Sequence, residues 1–176
     1  MKLLISLILF CKAATAMNSG IFDTSFSNDG VTDGWDYQSS AGNYVDGQDL
    51  LVDSQNRILT TSRLGGVVTV LRYLPNGELD SDFNSGGKIQ LPTIIDGSFT
   101  IKLAMGKSDD FYIAYTFQFC GSECDNDMVI YNIDSTGTIL STKNIAIDIG
   151  GTAKNDLLED ILYISSLDKI IIETFA

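Results

Sequence analysis

Acidic side chains dominate the groups in this sequence that could do chemistry. The chain of 176 residues holds 23 Asp and Glu against 11 Lys and Arg, and it has no histidine. Ser-His-Asp and Cys-His catalysis and His-bound metals are therefore excluded, as is the commonest general base. A pair of carboxylates still offers glycoside cleavage if the two groups stand about 5 to 10 Å apart. No pair stands out among so many acids.

Three consecutive oxygen-bearing residues, Asp125, Asn126 and Asp127, form a candidate metal site. Carboxylate and amide oxygens are the ligands that calcium prefers. The run lacks the Asp-x-Asp-x-Asp-Gly spacing and the distal Glu of a calcium loop, so solvated turn residues are the favoured interpretation and calcium the alternative. No organic cofactor is indicated, because no phosphate-cradling loop or dinucleotide glycine motif is present.

Aromatic residues in a segment rich in Gly, Ser and Asn form a candidate ligand site, namely Trp35, Tyr37 and Tyr44 with the neighbouring Asp36. Exposed aromatic rings beside a carboxylate suit stacking on sugar rings. Packing of these rings against a neighbouring sheet is the favoured interpretation. A carbohydrate-binding surface is the alternative.

Two cysteines, Cys120 and Cys124, lie within Cys-Gly-Ser-Glu-Cys between two strand-like segments. Gly121 allows a turn tight enough to bring the two Cα atoms within about 7 Å, as a disulfide requires. We predict a disulfide across the tip of a hairpin, which would stabilise the fold by about 2 kcal/mol. Two thiols without histidine make a poor four-coordinate zinc site.

The first residues are typical of an export signal. Lys2 precedes an apolar run from Leu3 to Phe10, and Ala14-Thr15-Ala16 is a small-x-small cleavage site. We predict a signal peptide over residues 1–16 and a secreted or otherwise extracytoplasmic chain over 17–176, in the periplasm, at the cell surface or outside the cell. The apolar run is much shorter than the roughly 20 residues of a spanning helix, so no membrane span is expected.

The charge balance bears on the partners of this chain. Residues 1–16 hold two lysines and no acid, so their removal takes the net charge from −12 to −14. Nucleic acid is excluded as a partner by this balance, because binding its backbone depends on Lys and Arg neutralising phosphates. The same charge helps an exported domain to stay soluble.

The strongest signal in the sequence is internal similarity. The segment Phe22 to Gly30 returns as Leu79 to Gly87 at a spacing of 57 residues, and Tyr73 and Tyr131 are 58 apart. These spacings predict three units, the last truncated: 22–78, 79–138 and 139–176.

Within each unit the pattern predicts strands and turns. Apolar residues alternate from Phe111 to Phe119, Val67 to Tyr73 is rich in β-branched residues, and Gly65-Gly66 and Pro75-Asn76-Gly77 are turn formers. We predict an all-β fold of tandem four-stranded antiparallel blades, a partial β-propeller of about two and a half to three blades. A β-sandwich is the alternative, although it gives no reason for a period near 57.

The order of residues from Tyr73 to Gly87 resembles that of the delta-60 repeat of secreted bacterial β-propeller proteins. Tyr73, Asn76-Gly77, Leu79-Asp80 and Phe83 to Gly87 follow that family's order, and Phe22 to Gly30 matches the same motif. The resemblance covers residues 22 to 115 well and weakens after Thr138. It implies a repeat scaffold in which Phe26 and Phe83 pack between blades and the aspartate three residues before each phenylalanine accepts backbone N–H bonds in a turn.

These observations favour a non-enzymatic propeller scaffold that binds an extracytoplasmic ligand, either a carbohydrate or a protein. The alternative is a carboxylate-dependent glycosidase or lyase. A closed propeller needs about four or more blades, and the segment from Lys169 to Ala176 falls inside an incomplete unit. We therefore expect further blades or another chain to cover the C-terminal edge.

Overall fold

Residues 26, 45–64, 66–94, 100–120, 124–146 and 157–175 are described by the structure, a computed structural model. In these ranges the chain forms ten strands and one short 3-10 turn, Phe83–Ser85. The predicted all-β class with four-stranded antiparallel sheets is confirmed. Among the described strands no sheet is closed, and the arrangement agrees with a partial propeller and with a sandwich. In the same ranges, no helix is long and apolar enough to cross a membrane.

The strands form three antiparallel sheets in which neighbours in the chain are neighbours in space. The first sheet contains β1 (Val45–Val52), β2 (Ile58–Leu64), β3 (Val67–Tyr73) and β4 (Lys88–Ile94). The second contains β5 (Ile101–Met105), β6 (Phe111–Cys120), β7 (Cys124–Ile133) and β8 (Ile139–Ile145). The third is a hairpin of β9 (Leu157–Ile164) and β10 (Lys169–Phe175). Each sheet is thus a simple meander.

Matching turns follow the third strand of each four-stranded sheet. The N–H of Leu74 donates to the carbonyl of Glu78 at 2.8 Å, and the N–H of Asp134 donates to that of Thr138 at 2.9 Å. These turns align Tyr73 with Ile133, whereas the sequence comparison paired it with Tyr131. The difference is two residues, which keeps the same face of the strand because side chains alternate with a period of two.

Two apolar cores lie on opposite faces of the second sheet. The first core, between the first and second sheets, includes Leu59, Phe83 and Ile113. The second core, between the second sheet and the hairpin, includes Ala114 and Leu158. Strand β6 therefore buries side chains on both faces, whereas its alternation predicted one strongly apolar face. Ala114 on its second face is buried because the hairpin covers it.

Candidate functional site

The first turns of the three sheets come together at one end of the molecule. They span residues 53–57 between β1 and β2, 106–110 between β5 and β6, and 165–168 between β9 and β10. Strand β1 lies against β5, and β5 lies against β9, which brings their turns side by side. We call the linked side chains of these turns, Ser54, Lys107, Asp109 and Asp168, the turn row.

Asp109 links the first two turns. The backbone N–H of Ser54 donates to Asp109 Oδ1 at 3.0 Å, and the Ser54 hydroxyl donates to Asp109 Oδ2 at 2.6 Å. These hydrogen bonds lower the pKa of Asp109, because they favour the charged form. The carboxylate is therefore ionised at neutral pH and holds the two turns in register.

Asp168 links the second and third turns. Lys107 Nζ lies 3.1 Å from Asp168 Oδ1, and the Tyr163 hydroxyl donates to the same oxygen at 2.7 Å. The hydrogen bond from Tyr163, followed by that from Lys107, lowers the pKa of Asp168. The Tyr163 ring stacks on Tyr112 with centroids 5.4 Å apart. The Lys107 and Asp168 side chains are 55% and 69% exposed, so this end of the row offers charged groups beside aromatic rings.

A buried cation joins the first and second sheets beside the row. Arg72 is 3% exposed, its Nε donates to Asp80 Oδ2 at 2.8 Å, and an Nη group donates to the Ser135 carbonyl. Its guanidinium lies 4.3 Å from the centroid of the Phe83 ring. Burial lowers the pKa of Arg72, and the bond to Asp80 opposes this shift. We call Arg72, Asp80 and Phe83 the clamp.

The clamp accounts for two residues that the sequence motif singled out. Phe83 is fully buried between the sheets, with its ring centroid 6.2 Å from that of Phe111. Asp80 accepts the N–H of Asp82 at 3.2 Å in the turn that precedes Phe83. The predicted positions of Phe83 and Asp80 are confirmed. Phe26 is half-buried, and its packing between blades stays a prediction.

Gly137 fits the turn of the second sheet onto the clamp. A Cβ at this position would lie 2.9 Å from Asn84 Cβ and 3.1 Å from Phe83 Cε2, and the backbone φ is +97°. The N–H of Asn84 also donates to the Thr136 carbonyl at 2.9 Å. A glycine is required here both by the left-handed backbone and by the close approach of the first sheet.

The predicted ligand-binding residues all lie outside the described parts of the chain, namely Trp35, Asp36, Tyr37 and Tyr44. A carbohydrate-binding surface built on these residues stays a prediction. The turn row is formed by other residues and does not depend on it.

The two cysteines occupy the tip of the β6–β7 hairpin, where the backbone pairs Cys120 directly with Cys124. Directly opposed residues of antiparallel strands have Cα atoms about 4.5 or 5.5 Å apart, which suits a disulfide. The predicted hairpin is confirmed. The structure does not describe the side chains of the two cysteines, so the disulfide stays a prediction.

The candidate calcium residues Asp125, Asn126 and Asp127 lie in strand β7 rather than in a loop. Asp127 is paired with Phe117 and Asn126 with Gln118 on β6. The side chains of Asp125 and Asn126 are not described, so calcium binding by this run stays a prediction. Across the described ranges, no three Cys, Asp or Glu residues come close enough to hold a metal ion.

Sequence reasoning missed Arg72 and the links of the turn row. A signal for Arg72 was present, since a charged residue in the apolar strand Val67–Tyr73 needs a buried partner. No local signal marks Lys107 and Asp168, because they come from different sheets and meet only when the hairpin packs against β5 and β6.

A comparison with protein-family models finds no match, and a comparison with curated protein sequences finds none either. The resemblance to the delta-60 repeat therefore rests on the motif residues themselves and stays a prediction.

Proposed function

We propose that this chain is an exported, non-catalytic scaffold of the β-propeller type, which binds a ligand or protein partner outside the cytoplasm through the turn row. The pattern of residues 1–16 supports export. The spacing of the Phe22 and Leu79 motifs supports a propeller-type repeat. The acidic balance of the chain favours a neutral or cationic partner.

The observation that carries this proposal is the continuity of the turn row. Asp109 binds Ser54 across one junction, and Lys107 binds Asp168 across the next. Side chains from three separate turns thereby keep fixed relative positions at one end of the molecule. Binding surfaces commonly consist of loops held in this way by a rigid scaffold.

The state of the carboxylates favours a scaffold over a carbohydrate-active enzyme. A glycosidase needs a general acid whose pKa is raised, whereas the pKa values of Asp109 and Asp168 are lowered by their partners. Burial opposes ionisation of Asp134, but hydrogen bonds led by Thr136 outweigh it and lower that pKa too. These three carboxylates are thus suited to stabilising turns and not to donating protons.

Among the described residues, the buried acids Asp53 and Asp80 are engaged in ion pairs. Asp53 binds Arg57 Nε at 2.6 Å, and Asp80 binds Arg72 Nε at 2.8 Å. Asp53 also accepts the N–H groups of Gln55 and Arg57 at 2.9 Å each, closing the first turn of the row. Each of these carboxylates has a structural task in a non-catalytic scaffold.

The test exposes the exported chain to an array of glycans and extracellular proteins, and assays the same polysaccharides for newly released reducing ends. We expect the chain to bind a member of the array and to release no reducing ends from the polysaccharides. The double variant Lys107→Ala/Asp168→Ala should weaken binding at least about tenfold, as loss of central contacts does in other interfaces. Lys143→Ala, an exposed change on β8, is the matched control.

Two results would contradict the proposal. Release of reducing ends that is lost on substitution of a carboxylate would identify an enzyme. Binding that is equally strong in the turn-row variant and in the Lys143→Ala control would place the ligand elsewhere on the molecule.

A further inference from the structure

Strand β10 has an open edge. In the part of the chain that the structure describes, β10 is bonded to β9 on one side and to no strand on the other. An open edge presents a row of N–H and C=O groups that can pair with another strand. The ladder with β9 is regular from Lys169 to Glu173, before a register shift, so this stretch of β10 is straight enough to accept a partner.

The outer face of the β9–β10 hairpin is apolar at its centre. Ile171 lies directly opposite Leu162, and the two side chains are 50% and 58% exposed. Lys169 and Glu173 share this face with Ile171, because side chains of a strand alternate, and both are exposed. An apolar residue at the centre is thus flanked by a cation at one end and an anion at the other.

The charges within one hairpin are poorly matched. Glu173 is directly opposite Asp160 on β9, and both residues are exposed. Like charges directly opposite each other destabilise a sheet. A cation placed on the other side of Glu173, along the open edge, would relieve this repulsion.

We propose that β10 pairs antiparallel with β10 of a second copy of this chain, with the two-fold axis at Ile171. In this register Ile171 faces Ile171 of the second copy, and Lys169 faces Glu173 of the second copy at both ends. A register shifted along the strand loses both ion pairs. The product is a four-stranded sheet, with the apolar residues Leu162 and Ile171 of both copies in one stripe on its outer face.

The test is a charge swap followed by sedimentation velocity over a range of protein concentrations. The exported chain should dimerise, and Lys169→Glu or Glu173→Lys alone should raise the dimer dissociation constant at least about tenfold, because each puts like charges at both ends. The double variant K169E/E173K exchanges the charges and should restore the dimer. Lys143→Glu on β8 makes the same change in net charge as Lys169→Glu and should have little effect.

Folding does not confound this test, because Glu173→Lys places a cation opposite Asp160 in its own hairpin, and circular dichroism checks the β content of each variant. A wild-type chain that stays monomeric at its highest soluble concentration would overturn the proposal. So would single variants that dimerise like the wild type, or a folded charge swap that stays monomeric.

Discussion

The second sheet meets its two neighbours in different ways. At its junction with the first sheet, Arg72 and Asp80 are buried and Phe83 fills the space between the sheets. At its junction with the β9–β10 hairpin, the ion pair of Lys107 and Asp168 is exposed, and only a smaller apolar core is buried. One junction therefore contains a desolvated polar network, and the other depends on apolar contact with charged groups at its rim.

This difference between the two junctions determines how stability is distributed along the molecule. Breaking a buried ion pair leaves a charge without compensation and costs several kcal/mol, whereas an exposed pair contributes little. The first and second sheets should unfold as one unit. The hairpin should open at a lower free energy, as elements with few buried contacts do.

Arg72→Ala should have the largest effect, a loss of about 3 to 5 kcal/mol in the free energy of unfolding. The substitution leaves Asp80 buried without its cation and removes the contacts to Phe83 and Ser135. Urea unfolding measures the loss, with Lys143→Ala as the exposed control. A double change of Arg72 and Asp80 to apolar residues should cost less than Arg72→Ala alone, and a loss below about 1 kcal/mol in Arg72→Ala would contradict the comparison.

Gly137→Ala should be the next most damaging change, at about 2 to 3 kcal/mol, because alanine resists a left-handed backbone and its Cβ would press on Asn84 and Phe83. Gly47→Ala is the matched control, since a Cβ there meets nothing within 4 Å. Thermal unfolding of both variants measures the difference. Equal midpoints would show that the turn between β7 and β8 does not pack tightly on the clamp.

Asp134→Asn should change the pH dependence of stability. The pKa of Asp134 is lowered in the folded chain, so its contribution is present above the unfolded value of about 3.9 and is lost as the pH falls through the folded value. The wild-type advantage, well under about 1 kcal/mol for a partly exposed turn residue, should shrink as the pH falls from about 5 to about 2. Urea unfolding of the wild type and Asp134→Asn across this pH range measures the difference in the free energy of unfolding. A wild-type advantage that grows in acid would contradict the prediction.

Lys107→Ala should have the smallest effect, with no measurable shift in the urea midpoint for global unfolding. Its ion pair with Asp168 is exposed at the rim of the second junction, where solvent screens the charges. A shift as large as that of Gly137→Ala would show that the two junctions are equally dependent on their ion pairs.

Local patterns predicted much of the first junction. Phe83 and Asp80 belong to one short motif, in which Asp80 accepts an N–H group in the turn and Phe83 fills the space between the sheets, as their residue types favour. The partner of Arg72 on the second sheet, the Ser135 carbonyl, could not be predicted in this way. Ser135 lies 63 residues after Arg72 in the chain, so the two come into contact only when the first and second sheets pack together.

Local sequence patterns could not predict the turn row or the outer face of the hairpin, because both depend on how whole elements pack. Lys107 and Asp168 are ordinary turn residues, and their pairing depends on how β9 packs against β5. The sequence itself pairs Val52 to Ile58 with Ile164 to Ile170, at a spacing of 112 residues or about two repeat periods, and each segment spans a turn between two strands. Sequence pattern therefore indicated two of the three turns in the row, and packing decides what all three contact.

Native-state hydrogen exchange, measured on dilute protein, compares the stability of the β9–β10 hairpin directly with that of the two four-stranded sheets. We expect the amides bonded between β2 and β3 and those bonded between β6 and β7 to exchange with one common, high free energy of opening, and the amides bonded within the β9–β10 hairpin to exchange with a lower one. Equal protection in the hairpin and in the two four-stranded sheets would contradict this expectation.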